Sequence, residues 1–275
     1  MQTILVATDL SERSDRALER ALALAAEHGA TCHVISVVDD ALPVKLSNQL
    51  AEGISERLHD LVSDRAETAE ITVLRGETVE MLTRFALLHE ADLMVLGLHR
   101  PRRFLDTVRE TTMERLVASS PVPVLLVVNP ADAPYRHALV PVSFSESCAG
   151  AIKAVARMAP GAEISPFHAL HVPLAGINGD VEHGELAIAA HQDAEVIRAR
   201  WAAAHALPKR MHKTEIVTGG VIGVMEEKLA EHSADLLAIG AHTRSGLTLH
   251  RLGGIAADLV RDPPVDLLVS PPPKG

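Results

Sequence analysis

Aromatic residues and cysteines are scarce in this chain of 275 residues. Phe, Trp and Tyr make up 2% of it and there are two cysteines. A core of this composition must be built from Val, Leu, Ile and Ala, which suits parallel strands packed against alanine-rich helices. Cys32 and Cys148 stand apart, without metal-site spacing. We therefore expect no disulfide framework, and two buried small side chains in a reducing cytoplasm.

Positive charge and long apolar runs are also lacking. The 36 Asp and Glu outnumber the 26 Lys and Arg, giving a net charge of -10. This balance argues against binding to nucleic acid or to an anionic membrane, since both need a basic face. No apolar run approaches the ~20 residues that cross a bilayer, and the first residues resemble a strand more than a signal peptide. The 15 histidines form no metal motif, so no metal centre and no catalytic group is predicted.

What the chain does contain is a repeat. Ala91–Arg100 and Ala234–Thr243 share an acidic residue, four apolar residues, a glycine and a histidine. The segments that begin at Pro121 and Pro264 also match, and both pairs are 143 positions apart. A constant separation over this length indicates a duplicated unit. We predict one domain over residues 1–130 and a second over 136–275, joined by a proline-containing linker at 129–136.

Short apolar runs alternate with amphipathic helical patterns in both halves. This order predicts an α/β fold, with a doubly wound parallel sheet in each half. In the first half the pattern includes a loop at 43–48 and then a helix over 50–66. Ligands of such sheets bind beyond the carboxyl ends of the strands. The candidate positions are therefore Asp9 and Ser143 after the first strands, Val37 and Val172 in the second strands, and the loops after Gly97 and Gly240.

The motif order is similar to that of the universal stress protein family in its tandem form, over nearly the whole chain. The resemblance rests on an apolar strand, Asp-x-Ser at residues 9–11, Asp-Leu-x-x-x-Gly-x-His at 92–99, and the proline-led strands. It implies a flavodoxin- or Rossmann-like sheet of five parallel strands, in the order 3-2-1-4-5, in each half. It also implies that the last strands, 122–128 and 265–269, pair with each other. Nucleotide-binding members carry Gly-x-x-Gly, nine residues and Gly-Ser/Thr, which wrap the phosphates, while a strand-one Asp and a strand-two Val hold the adenosine.

The first half matches this pattern in part. Two positions depart from it: an arginine and a glutamate stand where the second and third glycines belong. The candidate positions of this degenerate site are Asp9, Val37, Leu96, Gly97, Arg100, Glu110 and Thr111. A carboxylate at Glu110 would stand at the start of a helix, where it would repel a phosphate.

The second half departs from the family at other positions. A threonine replaces the second glycine, a glycine replaces the Ser/Thr, and Ser143 replaces the aspartate. The candidate positions are Ser143, Val172, Ile239, Gly240, Thr243, Gly253, Gly254 and Ile255. Two consecutive glycines before a helix form the better phosphate seat of the two halves.

The resemblance implies a universal stress response protein: a non-enzymatic regulator with degenerate adenine-nucleotide sites, of which the second is the better. The ligand would be ATP, ADP or AMP with Mg²⁺, and the chain would form an internal pseudo-dimer or a homodimer. Two alternatives stay open. One is a slow nucleotide hydrolase, and the other is a binding module for a non-nucleotide ligand beside the glycine-rich segment at 176–184.

The first site yields a prediction from sequence alone. Replacing Glu110→Gly should raise the affinity of the first half for ATP, because it removes a negative charge from the start of a helix. Isothermal titration of ATP into both proteins measures the change. An unchanged affinity would show that Glu110 does not block this site.

Overall fold

The computed structural model describes residues 1–63, 69–98, 111–172, 185–241 and 252–271. The chain forms two compact units. The first contains Met1–Ala133 and Gly246–Pro271, and the second contains Pro134–Ser245 and Pro272–Gly275. In the described part of the chain, no helix has the length and apolar character needed to cross a membrane.

The first unit opens with five strands and four helices in alternation. Its strands are β1 (Thr3–Ala7), β2 (Thr31–Val38), β3 (Ala69–Arg75), β4 (Leu93–Gly97) and β5 (Val124–Val127). Its helices are α1 (Glu12–His28), α2 (Val44–Val62), α3 (Thr78–Leu88) and α4 (Thr112–Ser119). Helix α2 begins inside the stretch that the sequence pattern predicted as a loop, because Pro43 provides its N-cap with a backbone already suited to a helix start.

The five strands are parallel and follow the order β3-β2-β1-β4-β5. This confirms the predicted order for the first half. Ala7 at the end of β1 lies level with Ile35 on β2 and with Leu96 on β4. The carboxyl ends of the three central strands therefore meet at one edge of the sheet.

The second unit repeats most of this plan. Its strands are β6 (His137–Pro141), β7 (Glu163–Leu170), β8 (Glu215–Thr218) and β9 (Leu236–Gly240), and its helices are α5 (Glu146–Met158), α6 (Glu185–Ala204) and α7 (Val221–Glu231). The strands are parallel in the order β8-β7-β6-β9. This is the 3-2-1-4 part of the predicted order.

The last helix and strand of the chain, α8 (Gly254–Arg261) and β10 (Asp266–Ser270), belong by their contacts to the first unit. Strand β10 runs antiparallel to β5, with Leu267 opposite Leu126 and Val269 opposite Val124. The expected pairing of the two last strands is confirmed. Strand β10 is thus a sixth strand of the first unit, antiparallel to the other five, and it pairs the backbone groups on the free edge of β5.

The duplication is also visible in the backbone. Three unusual conformations with positive φ occur in both copies at corresponding positions. The pairs are Leu10 (60°) with Phe144 (58°), Gly76 (141°) with Gly219 (156°), and Glu90 (48°) with Ser233 (45°). Four of these six residues are not glycine, so the fold holds the same strained turns twice.

The acidic residue of the repeated segment has a structural role. An oxygen of Asp92 accepts the backbone N–H groups of Gln2, at 2.6 Å, and Thr3, at 3.3 Å. Asp235 does the same for residues 136 and 137, at 2.9 and 3.1 Å. Each carboxylate therefore ties the beginning of the first strand of its copy to the fourth strand.

Both cysteines are buried, as the sequence predicted. Burial in the apolar sheet raises the pKa of the Cys32 thiol to about 12, so it stays protonated at neutral pH.

A fully buried carboxylate holds the chain where it leaves β5. Asp266 on β10 is 0% exposed. Its Oδ1 accepts the N–H groups of Val128, at 2.8 Å, and Asn129, at 2.9 Å. These two donors follow the end of β5 and find their acceptor in a side chain.

Arg20 of α1 completes this anchor. Its Nε lies 3.8 Å from Oδ2 of Asp266. Its two terminal nitrogens donate to the carbonyl oxygens of Pro130, at 3.0 Å, and Ala133, at 2.7 Å. The buried arginine thus fixes the beginning of the predicted linker against α1.

We predict that Asp266→Ala lowers the free energy of unfolding by about 3–5 kcal/mol, because it removes the counter-ion of a buried arginine and the acceptor of two backbone donors. Urea unfolding followed by circular dichroism measures the loss. Asp262→Ala, which removes an exposed carboxylate nearby, is the matched control and should change stability by less than about 0.5 kcal/mol. A loss no larger than that of the control would contradict the anchoring role.

Candidate functional site

A tight turn shapes the carboxyl end of β1. The buried hydroxyl of Thr8 accepts the N–H of Leu10, at 3.0 Å, and donates to the hydroxyl of Ser14, at 2.9 Å. Asp9, between Thr8 and Leu10 in the chain, is exposed. Its Oδ1 accepts the N–H of Ser11, the N-cap of α1, at 3.0 Å. The turn therefore presents a carboxylate to solvent beside the start of α1.

Four of the first-site candidates lie at this edge. Asp9 follows β1 by two residues, and the neighbouring strands β2 and β4 end beside it. The candidates brought to this edge are Asp9, Val37, Leu96 and Gly97. Thr111 begins α4 in the same unit. Arg100 and Glu110 lie outside the described residues.

In the second copy Ser143 occupies the position after β6. Its N–H donates to Sγ of Cys148, at 3.4 Å, and its hydroxyl lies 3.4 Å from that of Ser145. Cys148 is buried at the start of α5. Ser143 thus offers a neutral hydroxyl where the first copy offers a carboxylate.

The strand register corrects the predicted counterpart of Val37. Val37 follows Ile35, the partner of Ala7, by two residues. In the second copy Phe167 is the partner of Pro141, and the residue two further on is Ala169. Val172 lies two residues beyond the end of β7 and not within it. The sequence alone does not reveal this shift, because the connection from β6 to β7 is shorter than the connection from β1 to β2.

The remaining second-site candidates fall in two groups. Ile239 and Gly240 end β9 in the second unit, together with Ser143, whereas residues 253–255 begin α8 in the first unit. Thr243 lies outside the described residues.

The repeated glycine has a packing role that sequence reasoning missed. A Cβ on Gly97 would lie 2.6 Å from the carbonyl oxygen of Arg13 in the first turn of α1. A Cβ on Gly240 would lie 2.6 Å from Cβ of Ser147 in the first turn of α5. Real Cβ atoms do not approach so closely, so only glycine lets the helix start touch the strand end.

The two helices that follow the candidate loops start differently. At α4 a capping box is complete: the N–H of Glu114 donates to the hydroxyl of Thr111, at 3.2 Å, and Glu114 accepts the N–H of Thr111, at 2.7 Å. Glu114 is buried and forms an ion pair with Arg261, at 2.8 Å. The α4 start therefore already carries its own carboxylate.

The α8 start has no such carboxylate. Gly253 is the N-cap without a side-chain hydrogen bond, and the first turn holds no acidic residue. Residues 253–255 are exposed, and a Cβ on Gly254 would meet nothing within 4 Å. In the part of the chain that the structure describes, no side chain caps the first backbone N–H groups of α8.

An aromatic cluster at the carboxyl end of β6 and β7 also escaped sequence reasoning. The rings of Phe144 and His168 lie 4.4 Å apart, and Phe144 lies 5.7 Å from Trp201 of α6. The Trp201 indole N–H donates to the carbonyl of Ser145, at 2.9 Å. The available signal was composition: the chain has a single tryptophan, and Phe144 directly follows Ser143. The described residues contain no cluster of three or more His, Cys, Asp or Glu suited to a metal ion.

Comparison with known proteins identifies a family to which both halves of the chain are similar. The model of the Universal stress protein family matches residues 1–128 and again 134–271. A protein of Thermus aquaticus named as a universal stress protein in the QAH/OAS sulfhydrylase 3' region is 29% identical over 134 residues, which are 46% of this chain and 98% of that protein.

Two solved structures are similar over almost the entire chain. A universal stress protein from Archaeoglobus fulgidus DSM 4304 has a TM-score of 0.69 at 18% identity, covering 98% of this chain and 96% of that one. A functionally unknown protein from Pseudomonas aeruginosa PAO1 has a TM-score of 0.64 at 16% identity, covering 99% and 93%. At these identities the similarity shows the fold.

We predict that Gly97→Ala and Gly240→Ala each lower the free energy of unfolding by about 1–3 kcal/mol, because the added methyl group forces the helix start away from the strand. Gly53→Ala is the matched control. It lies within α2 with nothing within 4 Å of its Cβ position, and should stabilise the protein by about 0.5–1 kcal/mol. Thermal and urea unfolding show whether each substitution raises or lowers the stability of the protein. If Gly97→Ala and Gly240→Ala stabilise it as Gly53→Ala does, the two glycines have no packing role.

Proposed function

Because the chain belongs to the universal stress protein family in both of its halves, we propose that it is a non-enzymatic binding protein of the stress response. Its second copy holds an adenine nucleotide, such as ATP, ADP or AMP with Mg²⁺, and its first copy is a degenerate site.

The observation that carries this proposal is the contrast between the two helix starts. Residues 253–255 at the N-terminus of α8 are exposed, and within the described residues this start has no side-chain cap and no acidic residue in its first turn. The N-terminus of α4 has a buried carboxylate, Glu114, hydrogen-bonded to the N–H of Thr111. A phosphate gains from the helix dipole at the first, whereas at the second the N–H of Thr111 is already bound by Glu114.

The residues that follow the first strand of each copy are the candidates for contact with adenosine. Ser143 offers the ribose one neutral hydroxyl, whereas Asp9 of the first copy offers a carboxylate, which accepts hydrogen bonds more strongly. Phe144 and His168, beside Ser143, provide ring surface for a base. Each copy thus retains a different part of a nucleotide site, and weak binding follows.

Slow hydrolysis of the nucleotide is the alternative. It requires a base and a metal at the phosphates, and an assay of phosphate release with Mg²⁺ separates an enzyme from a binding protein.

Two further proposals concern the setting of the protein. Buried thiols fit a reducing compartment, and we place the protein in the cytoplasm. The antiparallel pairing of β5 with β10, the last strands of the two repeats, supports an internal pairing of the copies, with homodimerisation as a second level of assembly.

We predict that Gly253→Glu weakens ATP binding by about tenfold, because the new carboxylate occupies the α8 start and repels the phosphates. The backbone of Gly253 (φ -63°) accepts a side chain without strain. Isothermal titration with ATP and Mg²⁺ measures the effect. Gly220→Glu is the matched control, since it adds the same charge at the uncapped start of α7 (φ -77°) and should leave the affinity within about twofold. Equal ATP affinities for wild type and Gly253→Glu would remove this site.

A further inference from the structure

Helix α6 packs on β7 and β8 with one narrow side. Over residues 186–204 the buried side chains are those of Ala187, Ala194 and Trp201, spaced seven apart. Seven residues make almost two turns of an α-helix, so these three side chains lie along one line. The indole N–H of Trp201, bonded to the carbonyl of Ser145, fixes that line against the second unit.

A second side of α6 is apolar at its centre and exposed. Val196 has 58% of its surface exposed and Ile197 has 49%. At 100° per residue, six exposed positions around them fall within an arc of about 100°, the width of the stripe that a helix normally buries. This α6 stripe consists of Ala189, Asp193, Val196, Ile197, Arg200 and Ala204.

Two charges of opposite sign lie within the α6 stripe. Over the ranges that the structure describes, neither Asp193 nor Arg200 makes an ion pair or a hydrogen bond. Glu195, outside the stripe, pairs instead with Arg198 and, at 3.8 Å, with Lys213. The stripe therefore presents one acid and one base on either side of its apolar centre.

The order of residues in the stripe is complementary to its own reverse. In an isologous pair, a two-fold axis brings the same surface of both copies together. An axis that passes between Val196 and Ile197 places Val196 opposite Ile197 of the second copy. The same axis places Asp193 opposite Arg200 of the second copy, and Arg200 opposite its Asp193. Ala189 then faces Ala204 of the second copy, where small side chains let two helices approach closely.

We propose that the α6 stripe is a self-association surface, on which a second copy of this chain packs its own α6 in antiparallel orientation. Val196 and Ile197 form the apolar centre, and two reciprocal pairs of Asp193 with Arg200 flank it. The opposite charges fix the register of the two helices. A single helix pair buries little area, so the dimer is weak and reversible. The proposal gives a surface to the homodimer proposed above and rests on it.

The corresponding helix of the first copy lacks this pattern. Both helices bury residues seven apart, Ala51 and Leu58 in α2 and Ala194 and Trp201 in α6. On this match, α2 has Leu50 at the acidic position of the stripe and Arg57 at the basic position. A base without its acid cannot form the reciprocal pairs, so the surface belongs to the second copy.

Two isoleucines of α6 test the apolar centre. Ile197 and Ile188 are both 49% exposed, but they are nine residues apart and so lie on opposite sides of the helix. Sedimentation velocity of the full chain over a concentration series measures dimer formation. We expect Ile197→Lys to weaken self-association by at least about tenfold, and Ile188→Lys, the matched control, to leave it within about twofold.

The outcomes separate the surface from the homodimer itself. A wild-type chain that stays monomeric at millimolar concentration would overturn both. A wild type that dimerises, with equal dissociation constants for Ile197→Lys and Ile188→Lys, would overturn the α6 surface alone. Association is measured without nucleotide, so the ATP proposal, tested by Gly253→Glu, stands or fails separately.

Charge reversal tests the register. Asp193→Arg and Arg200→Asp each place like charges opposite one another in a homodimer, and each should weaken self-association by about tenfold. An equal mixture of the two variants restores both pairs, because one copy is basic at both positions and the other is acidic at both. We expect the mixture to associate within about threefold of the wild type.

Arg57→Asp, the same reversal at an exposed arginine of α2, is the matched control and should leave self-association unchanged. A general loss of structure in the two α6 variants would not be repaired by mixing them. No recovery in the mixture, or an equal loss in Arg57→Asp, would overturn the proposed pairing.

Discussion

The close contact between the end of the fourth strand and the start of the first helix decides the shape of the candidate edge in both copies. Gly97 and Gly240 have no side chain because α1 and α5 begin there, with atoms 2.6 Å from where a Cβ would stand. Asp92 and Asp235, a few residues earlier, tie the same strands to the beginning of the first strand. The spacing between the acid and the glycine is the same in both repeats, and it spans one strand with a contact at each end.

This shared scaffold carries different side chains in its two copies. The first copy keeps a carboxylate at Asp9 but places Glu114 at the start of α4. The second has a neutral Ser143 and leaves the start of α8 open. Away from that edge, α6 of the second copy carries Asp193 where α2 of the first has Leu50. The two copies therefore share one backbone plan, and substitutions at a few positions give them different side chains at corresponding places.

Particular elements show how far sequence reasoning reached. The order β3-β2-β1-β4-β5 and the pairing of the last strands were predicted from the resemblance to the universal stress protein family, which the spacing of the repeated motifs indicates. The start of α2 was misplaced, since Pro43 was taken as part of a loop when it caps the helix. Val172 was assigned to a strand that ends at Leu170. Such errors fall at element ends, where local propensity is weak and tertiary packing decides.

The sequence by itself determined the family, the duplication and the set of side chains available to each half, because these depend on residue types and their spacing. Only the tertiary structure decided that the repeated glycines serve packing, that Glu114 belongs to the α4 start, and that Val196 and Ile197 stay exposed on α6 while Trp201 is buried. Those facts depend on distances between residues far apart in the chain. The register of parallel strands and the placement of helices on them set such distances, and neither can be predicted from a local sequence pattern.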